Sequence, residues 1–373
     1  MRVFYIRIDN FVIILIIDFM YDSINDSTLE AWVGTLSRGE SLGREDYLRL
    51  LSLSDHDQLA WLMGQARAVA DREFGRGVYI RGLIEISNHC KNGCYYCGIR
   101  NANACVERYR LSSEEIMACC RQGYELGFRT FVLQGGEDPF QDDDWLCEVI
   151  ARIKEEYSDC ALTLSVGERS EQVYERFRRA GADRYLLRHE TANAVHYSML
   201  HPESMSFENR MLCLRTLKAL GFQTGAGMMV GSPGQTLECL VDDLLFLEAL
   251  QPQMIGMGPF IPALHTPFAK EPAGSVPLTL LLLSVFRLRF PRVLLPATTA
   301  LSTLDPQGQE KGLLAGANVI MPNLSPLTVR RKYALYADKK YLGNEAAEQI
   351  GRLDEKLKKI GFHISYERGD FKP

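Results

Sequence analysis

Short apolar runs recur along the chain, and each follows an amphipathic, helix-like stretch that ends in glycine. Four junctions have this form, at Gly127, Gly181, Gly221 and Gly316. A glycine just past a helix supplies the left-handed backbone that ends it, and an unbroken apolar run is typical of a buried parallel strand. The pattern therefore predicts a repeated helix-to-strand unit.

Filling the gaps between these four junctions gives eight candidate strands, with helical stretches between them. They are predicted at residues 80–86, 130–134, 161–165, 184–188, 222–230, 254–258, 293–297 and 317–321. Ser112 and Ser113, followed by Glu114 and Glu115, predict the start of one intervening helix. Eight alternating units favour an α/β protein with a TIM-type (β/α)8 barrel over an open sheet.

The remaining segments lie before and after the barrel. Residues 1–75 are predicted as an N-terminal extension with helices, residues 76–330 as the barrel, and residues 331–373 as a C-terminal helical cap. The extension contains an apolar run at residues 11–17, which is far shorter than the roughly 20 residues needed to span a bilayer. We expect this run to pack on the protein or to be poorly ordered, with no membrane role.

Composition narrows the classes of function. Lys and Arg total 42 against 47 for Asp and Glu, giving a net charge of −5. This balance argues against nucleic-acid binding, which requires a basic surface. The ten cysteines need not form disulfides in so long a chain, so we expect a reducing, cytoplasmic location.

Three cysteines form the strongest chemical signal. Cys90, Cys94 and Cys97 have the spacing CxxxCxxC directly after the first predicted strand. Cysteine thiolates hold iron–sulfur clusters, and three ligands leave a fourth iron open to an exogenous group. A zinc site that adds His89, or ordinary buried cysteines, are the alternatives at this point.

The triplet, with the aromatic residue Tyr96 before its last cysteine, resembles the signature of the radical S-adenosylmethionine (SAM) superfamily. That resemblance implies one 4Fe–4S cluster held by the three cysteines, which are then the catalytic ligands. It implies that SAM binds the open iron and is cleaved reductively to a 5′-deoxyadenosyl radical. A ferredoxin or flavodoxin would supply the electron.

Further residues at predicted strand ends fit a SAM site. Gly135 and Gly136 allow a close approach of the backbone, and Arg188 and Glu190 share one strand face. A plain turn and an internal salt bridge are the respective alternatives. The resemblance assigns to SAM binding the residues Tyr96, Gln134, Gly135, Gly136, Glu137, Thr163, Arg188, Glu190, Arg210 and Met229. Around Met229 the family pattern GxIxGxxE is imperfect, because Gly234 stands in place of its glutamate, and a bulged strand is the alternative.

Longer segments resemble FeFe-hydrogenase maturases of the HydE family, including GYELGFRTFVLQGGEDP, DRYLLRHETA and LPATTAL. The similarity covers roughly residues 80 to 336. It implies assembly of the diiron subcluster of the hydrogenase active site, from an iron–cysteine carbonyl cyanide complex, with the maturases HydG and HydF as partners. The substrate candidates are Thr298, Thr299, Met321, Tyr333 and Tyr336, the last two on one predicted helix face, with ordinary barrel packing as the alternative.

The sequence departs from some members of that family in one respect. No cysteine follows Cys239, so we expect no accessory cluster in the C-terminal region and one cluster in total. Two alternative functions remain. One is a carbon-skeleton enzyme such as methylornithine synthase or a biotin-synthase-like protein, and the other is a non-catalytic scaffold for an iron–sulfur cluster or metallocofactor.

Overall fold

The computed structural model describes residues 2–8 and 11–17 by their backbone, and residues 24–339 and 346–373 in full. The strands are β1 (Arg2–Ile8), β2 (Phe11–Ile17), β3 (Gly77–Ile80), β4 (Gly82–Ser87), β5 (Thr130–Gly135), β6 (Ala161–Ser165), β7 (Arg184–Leu186), β8 (Gln223–Ala226), β9 (Met229–Val230), β10 (Met254–Ile255), β11 (Gly258–Pro259), β12 (Val319–Ile320) and β13 (His363–Ser365).

The helices are α1 (Asp26–Ser37), α2 (Arg44–Leu51), α3 (His56–Phe74), α4 (Ser113–Glu125), α5 (Asp143–Glu156), α6 (Glu171–Ala180), α7 (Ala194–Leu200), α8 (Phe207–Ala219), α9 (Leu237–Leu250), α10 (Val276–Arg289), α11 (Thr299–Leu304), α12 (Gly308–Leu314), α13 (Leu327–Arg330) and α14 (Ile350–Lys359). A 3-10 turn at Ala347–Gln349 precedes α14. Helices therefore lie before the barrel, between its strands and after it.

Parallel strands form the centre of the molecule. Six of them pair in the order β10-β8-β7-β6-β5-β4. Single parallel bridges continue the ring through residues 294–296 and 319–323. The bridged pairs are Met254 with Leu294, Pro296 with Val319, and Leu83 with Asn323. All eight predicted strand positions thus carry strand or bridge pairing, and the predicted TIM-type α/β fold is confirmed.

Two of the predicted strands are broken where the sequence indicated continuous ones. The stretch predicted at residues 222–230 divides into β8 and β9, and the one at 254–258 divides into β10 and β11. A Cβ atom on Gly227 would lie 1.8 Å from the carbonyl oxygen of Gly256. The two backbones thus approach too closely for side chains at this point, and β9 and β11 pair as a separate two-stranded sheet.

Local sequence signals explain where the elements begin and end. Ser112 caps α4, and its side chain accepts from the backbone N–H of Glu115 while the Glu115 carboxylate accepts from the Ser112 N–H. Such reciprocal capping satisfies two donors that a helix start leaves unpaired. The four junction glycines all have positive φ, between 76° and 115°, as the helix-to-strand pattern predicted.

The terminal regions differ in part from the prediction. Residues 11–17 pair with β1 as an antiparallel hairpin. The predicted C-terminal helix is observed as α14, while residues 344 and 345 of that prediction lie outside the described residues. After α14 the chain forms β13, which pairs with β3. The segment 366–371 then covers the amino-terminal end of the barrel strands, where Asp370 pairs with Arg184, so the C-terminal region is not simply a helical cap.

Alternation along the first barrel strand separates the core from the barrel interior. Ile84 and Ile86 are buried in the main apolar cluster, and each such side chain contributes roughly 2 kcal/mol through burial. Glu85 and Ser87, between and after them, therefore face the interior. Within the described residues no helix is long and apolar enough to cross a membrane.

Candidate active site

The three cysteines of the triplet lie on the loop that follows β4, at the carboxyl end of the barrel where active sites of this fold are built. Cys90, Cys94 and Cys97 are half-buried and form no disulfide. Burial raises the pKa of all three thiols, that of Cys97 to about 12. Thiolates at these positions would therefore need a compensating cation, such as a bound metal ion that displaces the protons.

Two glycines allow other parts of the chain to reach this loop. A Cβ atom on Gly136 would lie 2.2 Å from the carbonyl oxygen of His89 and 2.6 Å from Cβ of Cys90. A Cβ atom on Gly98 would lie 2.0 Å from the carbonyl oxygen of Ala334. Only glycine permits backbone contacts this close, so the end of β5 and a late segment of the chain both fix the position of the loop.

The carboxylate of Glu137 joins the cysteine loop to its neighbours. It pairs with Lys91 Nζ at 3.3 Å and accepts from the backbone N–H of Glu168 at 3.0 Å. Gly167 makes room for it, because a Cβ atom there would lie 2.0 Å from Cγ of Glu137. The described carboxylate of Glu137 is thus paired with a lysine of the cysteine loop itself.

Arg188 and Glu190 form an ion pair with unused hydrogen-bonding capacity. Arg188 Nη2 lies 3.2 Å from Glu190 Oε2, yet neither atom has a hydrogen-bond partner among the described residues, and nor do Arg188 Nε and the buried hydroxyl of Thr163. An unsatisfied buried polar group costs roughly 1–3 kcal/mol. These atoms therefore fit a polar ligand bound at the ends of β6 and β7.

His189 points away from the interior, as the alternation predicted. It is fully buried, its Nδ1 lies 3.2 Å from the Gly227 backbone N–H, and its Nε2 lies 3.2 Å from Asp243 Oδ1. The backbone N–H of Glu190 donates to the carbonyl of Gly227 at 3.0 Å. His189 therefore supports the backbone that carries Glu190.

Arg210 comes from the first turn of α8 and is also buried. Its Nη1 donates to the carbonyl of Arg188 at 2.6 Å, and its Nε pairs with Glu168. The described contacts of this guanidinium are thus made to the protein, and they fix the end of β7.

Two candidate residues form an apolar surface beside the polar one. Met229 packs with Leu200, Phe260 and the ring of Tyr96. The Tyr96 hydroxyl lies 3.2 Å from His201 Nε2, and burial lowers the pKa of His201 to about 3, which keeps that imidazole neutral. This surface fits the aromatic part of a ligand.

The substrate candidates Thr298, Thr299 and Met321 follow the seventh strand or end the eighth. Thr298 is the cap position of α11, but its hydroxyl makes no capping bond and has no partner among the described residues. Thr299 begins that helix and is half-buried. Met321 packs against an interior cluster that includes Tyr79 and Met254.

Tyr333 and Tyr336 were predicted on one face of a helix, and that prediction is wrong. The helix α13 ends at Arg330, and both tyrosines lie in a non-helical segment. Tyr333 is buried. Its hydroxyl accepts a hydrogen bond from Gln134 Nε2 at 3.4 Å, and Gln134 precedes Gly135 at the end of β5. Tyr336 is half-buried.

The sequence analysis did not identify an ion pair inside the barrel, between Glu85 and Lys339. Glu85 is fully buried and accepts from Asn323 Nδ2 at 2.9 Å and from Lys339 Nζ. Lys339 Nζ also donates to the carbonyl of Tyr333 at 3.2 Å and lies 4.7 Å from the centre of its ring. A glutamate at an interior position of an apolar strand was the available signal, but its partner could not be identified from sequence.

A second missed residue is Arg81, which lies between β3 and β4 and is buried. Its Nη1 lies 3.1 Å from the sulfur of Met254, whereas its Nε and Nη2 have no partner among the described residues. It is four residues before Glu85 in the same alternating stretch, and by that spacing both face the interior. The interior thus holds a cation with free donors.

No three or more His, Cys, Asp or Glu side chains in the described part of the chain converge tightly enough to hold a single metal ion. A compact zinc site that combines the cysteines with His89 is therefore not preformed. A 4Fe–4S cluster has a different requirement, because each thiolate binds a different iron atom.

Comparisons with known proteins agree with this geometry. A sequence model of the radical SAM superfamily matches residues 84–247. The chain is 46% identical over 305 residues to the FeFe-hydrogenase maturase subunit HydE of Thermotoga maritima, covering 80% of this chain and 87% of that protein. It is 31% identical over 308 residues to 3-methylornithine synthase of Methanosarcina barkeri, covering 82% and 84%. A crystal structure of methylornithine synthase superposes with a TM-score of 0.77 at 28% identity, covering 90% of this chain and 97% of that one.

Proposed function

The chain belongs to the radical SAM superfamily, and from that premise we propose that it is a maturase that acts in assembling the diiron subcluster of FeFe-hydrogenase. It is a radical SAM enzyme, whose family implies a 4Fe–4S cluster and SAM. The observation that carries the proposal is the 46% identity to HydE across 87% of that protein, against 31% to methylornithine synthase.

The site residues fit one cluster and one SAM molecule. Cys90, Cys94 and Cys97 would hold three irons and leave the fourth to SAM. Together the cluster and SAM supply a 5′-deoxyadenosyl radical when bound. The unused donors and acceptors of Thr163, Arg188 and Glu190 would meet polar groups of SAM.

The other SAM residues have distinct roles in the proposal. Gly135 and Gly136 would let backbone approach the methionine part of SAM, and the surface of Tyr96 and Met229 would contact the adenine. Glu137 and Arg210 act through the protein, because their described contacts fix loops around the site. Gln134 instead faces Tyr333.

The barrel interior would bind the substrate, an organometallic iron–cysteine carbonyl cyanide complex. Arg81 offers positive charge and free N–H donors at depth, which suits an anionic ligand. The Thr298 hydroxyl offers a further hydrogen bond. Thr299, Met321, Tyr333 and Tyr336 would complete the lining.

The protein residues would also exclude water from the radical reaction. Lys339 and Glu85 join the segment above Tyr333 to the interior, while Asp370 and Arg184 join the C-terminal tail to the opposite end. HydG would supply the substrate and HydF would act in the same assembly, with a ferredoxin or flavodoxin as reductant.

Methylornithine synthase is the second candidate, favoured by the TM-score of 0.77 and the 97% coverage of its structure. The two functions differ in substrate, since the second would be a reaction on a carbon skeleton and not on an iron complex. Stimulation of SAM cleavage by lysine would support this second function. A non-catalytic scaffold is disfavoured, because the chain belongs to an enzyme superfamily.

An anaerobic maturation assay tests the proposal. Apo FeFe-hydrogenase, HydG, HydF and their small-molecule substrates are combined with SAM, with and without this protein. We expect hydrogen evolution that requires the protein and is abolished by Cys94→Ser, because two thiolates hold a cluster poorly. Cys147→Ser is the matched control, since Cys147 is a half-buried cysteine of α5 far along the chain from the triplet, and it should retain activity.

Iron analysis of the reconstituted protein completes the test. One cluster corresponds to about four irons per chain, and a value near eight would contradict the single-cluster assignment. A cluster that responds to SAM without any hydrogen evolution would reject the maturase function and direct attention to lysine.

A further inference from the structure

The loop that carries the three cysteines is closed at its base by antiparallel pairing. Ser87 and Arg110 form an isolated antiparallel bridge, and the backbone N–H of Tyr109 donates to Asn88 Oδ1 at 2.8 Å. Residues 88–109 therefore leave the barrel and return to the same point. We call this segment the cluster loop.

The guanidinium of Arg108 lies inside the cluster loop and hydrogen-bonds to both of its limbs. On the limb before the first cysteine it donates to the carbonyl of Asn88. On the limb after the last cysteine it donates to the carbonyls of Ile99 at 2.8 Å, Arg100 at 2.7 Å and Asn103 at 3.2 Å. One side chain thus connects four backbone groups that flank the triplet.

The charge of Arg108 is not neutralised by a carboxylate of the described residues, since its partners there are carbonyl oxygens. Two neighbouring cations differ in this respect, because Arg110 pairs with Asp138 at 2.6 Å and Lys332 pairs with Glu107 at 2.5 Å. The thiols of Cys90 and Cys97, in contrast, are close enough to Arg108 to interact with its charge. Because Arg108 hydrogen-bonds to the carbonyls of Asn88 and Ile99, each two residues from a cluster cysteine, its positive charge lies near Cys90 and Cys97.

We propose that Arg108 is a positioning residue for the cluster: it holds the cluster loop closed and raises the reduction potential of the bound cluster. The inference rests on the cluster ligation proposed above and not on the identity of the substrate. Reduction adds one electron to the cluster from a strong external one-electron reductant. A fixed cation beside the thiolates stabilises the more negative product, because net charge near a cluster sets its potential.

Arginine is suited to both tasks in a way that lysine is not. Its planar fork presents donors in several fixed directions, so it can connect carbonyls on two limbs. A lysine keeps the charge but concentrates its donors at one atom. Arg108→Lys and Arg108→Met therefore separate the structural effect from the electrostatic one.

The experiment compares wild type, Arg108→Lys and Arg108→Met with Lys332→Met, a control that removes a neighbouring but paired cation. Each protein is reconstituted anaerobically without substrate. Midpoint potentials are measured by redox titration with EPR detection, and iron loss to a ferrous chelator is timed.

We expect Arg108→Met to lower the potential by about 59 mV or more, a tenfold change in the one-electron equilibrium. Arg108→Lys should keep a potential close to wild type but lose iron several-fold faster, and the control should match wild type in both.

Several results would overturn the inference. A wild-type potential in a loaded Arg108→Met protein rejects the electrostatic role, and wild-type iron retention in Arg108→Lys rejects the loop-holding role. If Arg108→Met takes up too little iron to titrate while the control loads normally, the loss supports loop holding. A wild-type protein that binds no cluster overturns the proposed function first, and this inference with it.

Discussion

At the scale of single residues, the backbone of Glu190 has an energetically unfavourable conformation. Its φ of 65° lies in the left-handed region, which costs a non-glycine residue about 1 kcal/mol. Its Oε2 lies 3.2 Å from Arg188 but makes no hydrogen bond. Strain of this kind persists where the surrounding structure enforces it, and it is concentrated at binding sites.

Replacing Glu190 with glutamine should weaken SAM binding while leaving the cluster in place. The substitution removes the charge but keeps the size, and a hydrogen bond to a charged group contributes about 1.5–3 kcal/mol, so the dissociation constant should rise at least about tenfold. Anaerobic titration of cluster-loaded protein with SAM measures this. Glu175→Gln, which alters an exposed ion pair on α6, serves as the control. Unchanged affinity for SAM would indicate that Glu190 pairs with Arg188 and does not contact SAM.

The sequence was informative about residues whose partners are near in the chain. Arg188 and Glu190 are two apart and were predicted to lie together; they do form a pair, although β7 ends at Leu186, before both of them. Glu85 and Lys339 are 254 residues apart, and nothing in either local pattern indicates that they meet. Arg81 was missed for a related reason, because a buried arginine without a carboxylate is not expected from sequence.

At the scale of elements, the end of β5 and the cluster loop form one unit. A Cβ atom on Gly136 has no room, since it would lie 2.2 Å from the carbonyl of His89. The loop cannot shift to make room, because the backbone N–H of Lys91 donates to the carbonyl of Glu137 at 2.9 Å and holds the loop against the end of β5. The geometry of the first cluster ligand thus depends on the absence of a side chain.

Gly136→Ala should cost most of the bound iron without unfolding the barrel. The added methyl group would displace the loop that carries Cys90, whereas the strands remain paired. Gly64→Ala is the matched control, because a Cβ atom in that position of α3 meets nothing within 4 Å and should stabilise the helix by about 0.5–1 kcal/mol. Iron content and circular dichroism distinguish the two, and normal iron loading of Gly136→Ala would contradict the expected displacement.

The positions of the strands could be predicted from the sequence, but their interruptions could not. Glycine after an amphipathic stretch located four of the eight barrel strands directly, because the signal is local, and the apolar runs between those junctions located the rest. The breaks after β8 and β10 were not foreseen, since they arise where Gly227 meets Gly256 across two strands. The same limit applies to Tyr333 and Tyr336, whose spacing fits a helix that the segment does not form.

At the scale of the whole molecule, the C-terminal tail holds the end of the barrel opposite the cluster loop. Arg184 is fully buried there, and its Nη2 pairs with Asp370 at 2.7 Å. Gln223 Nε2 also donates to Asp370, at 2.9 Å. The tail therefore neutralises the buried charge of Arg184. The prediction of a C-terminal helical cap did not include this role.

Asp370→Asn should destabilise the protein by about 2 kcal/mol, the contribution of a hydrogen bond to a charged group. Burial opposes ionisation, but Arg184 overcomes it and lowers the pKa of Asp370 below the ordinary value of about 3.9. The carboxylate therefore stabilises the fold fully above about pH 5, where it is ionised in both states, and that contribution is lost as pH falls through the ordinary pKa and then the lowered one. Wild type should thus lose more stability than the variant between about pH 5 and pH 3, roughly the span of that titration.

Chemical denaturation across this pH range provides the measurement. Asp144→Asn is a suitable comparison, because Asp144 belongs to an exposed ion pair with Arg176 and such pairs contribute about 0–1 kcal/mol. Equal pH profiles for wild type and Asp370→Asn would show that the buried arginine does not depend on the tail.

The contact between Gly98 and Ala334 has a consequence for the order of events during synthesis. Asn88 Nδ2 also donates to the carbonyl of Lys332, 244 residues later in the chain, so both ends of the cysteine-bearing segment are completed by groups that are synthesised long after the triplet. Nascent protein on the ribosome exposes the three thiols long before the residues that shape their surroundings have emerged. The cysteine-bearing segment therefore reaches its final shape only after residues 332–334 have been synthesised, and until then the three thiols lack these backbone contacts.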